Sequence, residues 1–196
     1  EYRQIDGFRR LIRPVIYRKM NPYIQKILAI TMKDLQGEEP LAAVAKVFFD
    51  WCGDCDTLIA WSGNDFGVLE KNLAHIGMKI PEQLGRYDVQ MAYAYRTENS
   101  IRNYALKTAV EAMELPEPEG QEYHDAYCDA QFTAAIGRAL TERYGPLPAV
   151  EELQALKNTL PALANEFIVL LKETSVACYV AVNDLTRGGE IIRGAT

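Results

Sequence analysis

TLIAWSGNDFGVLEKNLAHIG, residues 57–77, joins two kinds of pattern across a four-residue turn. TLIAW is a short apolar run of the sort that forms a buried strand. FGVLEKNLAHIG then sets Phe66, Leu69, Leu73 and Ile76 on one helical face and stops at Gly77. Asp65 therefore stands where a strand hands over to a helix. A lone aspartate at such a place is more often a helix cap than a catalyst, so it needs company before it carries chemistry.

Working back toward the N-terminus, PLAAVAKVFFDW repeats Leu41, Val44, Val47 and Phe48 at helical spacing, with Pro40 at a tolerated first-turn position. The helix runs into WCGDC, residues 51–55, which has the spacing of a redox pair. Its context argues otherwise. A reactive first cysteine caps the start of a helix, whose dipole lowers the thiol pKa. Cys52 instead closes a helix, with Gly53 at the left-handed cap position, and should be a poor nucleophile. No second Cys-x-x-Cys exists to make a zinc site. Further back, Thr31 with Asp34 predicts an N-cap and a short helix, and IDGFRRLIRP predicts a strand that ends at Pro14.

Downstream, YDVQMAYAY suits a strand or a short helix with MAYAY in the core, and IRNYALKTAVEAMEL predicts a helix over 101–115. PEPEGQEY is a loop that delivers His124 to the start of another helix, HDAYCDAQFTAAIGRAL, in which Asp129 lies five residues on. GPLP at 145–148 breaks the chain and marks a boundary between residues 1–144 and a tail, 145–196. The whole is expected to be a single α/β domain with an appendage.

The chain has 196 residues, 48% hydrophobic, and a net charge of −6. It offers no global attraction for nucleic acid, so any such contact must come from a local basic patch or from bound metal ions. No run approaches the length of a membrane span, and no secretory signal opens the sequence. Four cysteines without a signal suit reduced thiols and a cytoplasmic address.

Asp65, His124 and Asp129 together match what phosphodiester hydrolysis with two hard metal ions requires: carboxylates to hold Mg²⁺ or Mn²⁺ and a base for the attacking water. WSGNDFGVLEKNL resembles the second motif of the DnaQ-like (DEDDh) 3′-to-5′ exonucleases, and YHDAYCDAQFTAAI resembles their third. GFRRLIRP, ILAITMKDL, PLAAVAKVFFDWCG, IGM and YDVQ follow in the family's order, so the likeness covers roughly residues 1–142. It implies a ribonuclease H-like mixed sheet flanked by helices, Asp65 and Asp129 as metal ligands, His124 as general base, and DNA or RNA 3′ ends as substrate. Asp88 fits between the motifs as a structural residue. The family's first motif, Asp-x-Glu on a leading strand, does not occur in the sequence. An N-terminally truncated domain with two of its four carboxylates, inactive or weakened, is therefore expected.

The tail, from LQALKNTLPALANEFIVLLKETS onward, resembles over residues 151–194 a cytoplasmic segment of amino-acid ABC transporter permeases. It is expected to be helical, or else to donate FIVLLKETS to the sheet as a strand. Two other readings stay open: a non-catalytic nucleic-acid-binding or interaction remnant, and a fragment of a permease. Homodimerisation is a further expectation.

Overall fold

A computed structural model describes residues 4–16, 19–116 and 123–159. The chain divides into two compact units, Glu1–Pro148 and Ala149–Thr196. In chain order the first unit holds α1 (Pro22–Leu28), α2 (Met32–Gln36), α3 (Leu41–Cys52), β1 (Thr57–Ala60), α4 (Gly63–His75), β2 (Gly85–Asp88), α5 (Val89–Glu98), α6 (Leu106–Ala112) and α7 (Ala126–Tyr144). In the second unit residues 150–159 are helical. The segment proposed to donate a strand, residues 167–175, lies outside the described residues. No helix among the described residues is long and apolar enough to cross a membrane.

The architecture is α/β. β1 and β2 pair in parallel, from Thr57 against Gly85 to Ala60 against Asp88, and parallel neighbours need a crossover. α4 supplies it, as the pattern of residues 57–77 predicts. The crossover packs because Leu73, fully buried, joins Ala45, Cys52, Ile80 and Leu84 in a core cluster to which Leu58 of β1 also adds. At roughly 25 cal/mol per Å² of apolar surface removed from water, such burial is what holds so short a sheet. α7 lies against α5, α6 and β1, and buries Cys128, Phe132, Ile136 and Leu140 along one stripe at i, i+4 spacing.

WCGDC closes α3 as read. Gly53 adopts φ +53° and ψ −121°, not the left-handed helical cap expected but still a conformation that costs any residue with a Cβ, and its N–H donates to the Asp50 carbonyl at 3.2 Å. Cys52 is buried with its thiol free. Burial, then the neighbouring Cys55, pushes its pKa up, the opposite of what a redox nucleophile needs. The Thr31–Asp34 expectation also holds: both bonds of a capping box open α2. YDVQMAYAY is strand and helix in turn, and Ala92, Tyr93 and Ala94 are buried.

Two expectations are corrected. IDGFRRLIRP is not a strand. Among the described residues it makes one bridge, Arg13 to Pro40, with the Arg13 N–H donating to the Glu39 carbonyl at 2.9 Å. Leu11 and Ile12 are adjacent apolar residues rather than alternating ones, so neither face is consistently apolar, and Pro14 has no N–H to extend a ladder. The helix expected over 101–115 is only α6. The carbonyl of Tyr104 accepts instead from Trp61 Nε1 at 3.1 Å and Gln90 Nε2 at 2.7 Å, which fixes the chain ahead of Leu106 in a non-helical course.

Candidate functional site

The carboxyl ends of β1 and β2 open onto the starts of α4 and α5, where parallel α/β sheets commonly bind their ligands. Ser62 caps α4, and the Asp65 carboxylate accepts from the Ser62 N–H at 3.1 Å, completing a capping box. The candidate ligand Asp65 is thus also the third helical residue of the capping box, and it is exposed. The first-turn position also suits its charge, because the helix dipole favours an anion there.

Asp88 does the structural work expected of it. Its Oδ1 caps α5 by accepting from Met91 N–H at 2.9 Å, while Oδ2 accepts from Gly63 N–H at 2.7 Å. One side chain ties the start of α4 to the start of α5. A Cβ at Gly63 would meet that oxygen at 3.0 Å, so glycine permits the approach.

His124 and Asp129 flank the start of α7. His124 adopts φ +77°, a left-handed conformation that histidine, asparagine and aspartate visit more readily than most residues. Its backbone N–H donates to Asp129 Oδ1 at 3.3 Å. Asp129 is half-buried in the first turn. Burial pushes its carboxyl above the usual range. The His124 N–H and charge oppose that rise, and the negative charges of Asp125 and Asp65 add to it. That last influence is informative: the carboxylates of α4 and α7 lie within electrostatic reach of each other. Asp65 thus acts on Asp129 through space although 64 positions of sequence separate them, and His124 meets Asp129 through its backbone N–H.

The pKa shift has a consequence for stability. Below the usual carboxylate range both folded and unfolded chains carry a protonated Asp129. As pH rises, the unfolded chain releases its proton first, so the folded chain binds more protons and loses stability until its own carboxyl ionises. Asp129→Asn removes that penalty. The variant should melt above the wild type at neutral pH, and the gap should close below the usual aspartate range, as thermal unfolding across pH will test.

Sequence reasoning missed Asp125 and Arg9. Asp125 is the N-cap of α7, accepting from the N–H groups of Tyr127 and Cys128 at 3.0 and 3.1 Å. An aspartate just ahead of a helical run is a readable cap signal, which the histidine beside it obscured. Arg9 Nη2 lies 2.5 Å from Asp125 Oδ2. Burial acts to raise the Asp125 pKa, but the Cys128 N–H and the Arg9 charge outweigh it and hold the carboxylate low. No local pattern could have paired residues 9 and 125.

Asp65 and Asp129 are anionic oxygen donors, the kind that Mg²⁺ and Mn²⁺ select. They fit such an ion in kind. In number they supply part of a coordination sphere, since among the described residues no three acidic, histidine or cysteine side chains cluster as a metal site.

Comparison with known proteins gives two likenesses. The glutamine transport system permease protein GlnP of Escherichia coli K12 is 38% identical over 72 residues, which is 36% of this chain and 31% of GlnP. The GlnP proteins of E. coli O6:H1 and Shigella flexneri match with the same figures. The chain thus spans less than a third of the length of these curated relatives. The second likeness covers both turns described above, at Asp65 and at His124–Asp129: the exonuclease family typified by RNase T matches residues 1–136, and the chain belongs to it.

Proposed function

We propose that this protein is a divalent-metal-dependent 3′-to-5′ exonuclease acting on DNA or RNA ends, built on a ribonuclease H-like α/β scaffold. Residues 1–144 are the nuclease part, and 145–196 a permease-like tail. Its family consists of nucleases that generally use divalent metal ions. The observation that carries the reading is the pair of first-turn carboxylates, Asp65 and Asp129, brought into electrostatic reach with His124 beside them.

In this reading Asp65 and Asp129 hold Mg²⁺ or Mn²⁺, with two ions in the family's complete site. When bound, the metal supplies Lewis-acid stabilisation of charge at the phosphate, worth several kcal/mol. The His124 imidazole takes the proton from the attacking water. The water oxygen then bonds to phosphorus as the bond to the departing 3′ oxygen breaks, releasing the terminal nucleotide. The cap bonds at Asp65 and the His124 N–H at Asp129 hold both carboxylates in place, so little reorganisation is needed on binding. A cytoplasmic location and a homodimer belong to the same proposal.

The test is degradation of labelled oligonucleotide with Mg²⁺ or Mn²⁺, beside Asp129→Ala. Stepwise loss from the 3′ end by the wild type alone is expected. Equal product from both proteins, or none from either, would sink the catalytic claim. Binding without cleavage would favour a nucleic-acid-binding remnant.

A further inference from the structure

The protein is acidic, yet its cations are unevenly spread. Residues 4–26 contain Arg9, Arg10, Arg13, Arg18, Lys19 and Lys26 against one acid, Asp6, while the chain as a whole has 21 cations and 27 acids. On a protein of net negative charge, such a segment is a place where a phosphodiester chain meets local attraction.

The segment is also tied to the candidate site. Arg9 pairs with Asp125 at 2.5 Å, and Gln4 Nε2 donates to Tyr127 Oη at 3.0 Å, so residues 4–9 are fastened to the turn of α7 that carries Asp129. At its far end Arg13 is bonded through its backbone to Glu39. The side chains of Arg10 and Arg13 are exposed and join no ion pair found among the described residues, although Arg10 Nη1 donates to the Arg9 carbonyl at 3.0 Å.

Aromatic surface lies beside these charges. The Arg10 guanidinium sits 5.5 Å from the Phe8 ring centroid, and Phe8 is 5.5 Å from Trp51, which stays 43% exposed. Trp51 is held in place by donating Nε1–H to Asp6 at 2.8 Å. Exposed cations without a carboxylate partner, beside a fixed, half-open aromatic surface, are the two components of a single-strand binding track: phosphates meet the charge, and bases stack on the ring.

We propose that residues 8–13 with Trp51 form such a track, along which a single-stranded nucleic acid is held with its end directed to Asp65 and Asp129. This deepens the exonuclease reading and rests on it. Arg10 and Arg13 neutralise backbone phosphates, Trp51 stacks a base, and Arg9, committed to Asp125, anchors the track to the site.

The experiment is fluorescence anisotropy of a labelled oligothymidylate with the full chain in EDTA, titrated across about 50–200 mM salt. Removing one cation that neutralises a phosphate lowers the slope of log K against log salt by about 0.7 for a single strand. Arg10→Gln/Arg13→Gln should therefore flatten the slope by about 1.4 and weaken binding several-fold. Arg10→Lys/Arg13→Lys should keep the slope, and Lys71→Gln/Lys79→Gln, exposed cations of α4 and the loop after it, should leave it unchanged. Trp51→Leu should weaken binding without altering the slope. Thermal melts check folding, and Arg10→Gln alone replaces the double variant if that one is unstable. An unchanged slope in the arginine variants, equal flattening in the lysine control, or no binding by the wild type would overturn the track. The two proposals fail separately. Metal-dependent cleavage that the arginine variants retain in full sinks the track and leaves the exonuclease, while arginine-dependent binding without cleavage does the reverse.

Discussion

His124→Asn is expected to slow release of the 3′ nucleotide by about 10²- to 10⁴-fold, the usual contribution of a positioned general base, while leaving the melting temperature near that of the wild type. The choice of asparagine follows from the backbone. At φ +77° an L-residue pays about 1–2 kcal/mol for the left-handed conformation unless its side chain tolerates it, and asparagine is among the residues that do. Alanine would remove the imidazole and strain the turn together. In both variants the backbone N–H that donates to Asp129 is kept, so the carboxylate retains its partner. The pH profile separates the roles. If the imidazole accepts the proton, His124→Asn loses the limb of the rate profile that the base contributes, and added imidazole restores part of the rate. A rate within about threefold of the wild type would mean that another group takes the proton.

That prediction depends on residues whose local placement was legible because local chemistry repeats. A strand pattern followed by a helical period located Asp65 without tertiary information, and Gly53 after a helical run settled the WCGDC question against a redox pair. What escaped was long-range. The Arg9–Asp125 pair spans 116 positions, and nothing in either neighbourhood signals the other. The strand that does not form at residues 5–14 and the shortened α6 share a cause: in each, the fate of the backbone hydrogen-bonding groups depends on partners distant in sequence. Apolar content suggested a strand at Leu11 and Ile12, but a strand exists only where a neighbour completes its ladder. The Tyr104 carbonyl would have served a helix had Trp61 and Gln90 not claimed it first. Asp88 shows the intermediate case. Its place after a strand was readable as structural, whereas its second bond, to Gly63, required the parallel register of β1 and β2.

Phe132→Ala is expected to cost about 3–5 kcal/mol and to disturb the site beyond that loss. Phe132 is 3% exposed, in the stripe that α7 turns toward the core, so truncation leaves a cavity that a packed helix face cannot readily close. For a chain of this size each kcal/mol moves the melting temperature by about 2–4 °C, which puts the shift on the order of 10 °C. The second effect follows from what Phe132 supports. Its ring stacks on Tyr123, centroids 4.9 Å apart and planes 15° apart, and Tyr123 immediately precedes His124. From α6, Lys107 Nζ lies 5.6 Å from the same tyrosine ring. The stack therefore pins the residue before the catalytic candidate to the body of α7. Ile136→Ala provides the comparison, because Ile136 is fully buried one turn further along the same helix and its truncation costs about 2–5 kcal/mol, a similar amount. Measured well below both melting temperatures, Phe132→Ala should lose more cleavage activity than Ile136→Ala at comparable destabilisation, and Phe132→Tyr, which keeps a ring to stack, should recover most of it. Equal activity losses in the two alanine variants would reduce Phe132 to packing alone and leave the His124 turn to be held by the Asp125 cap and its arginine.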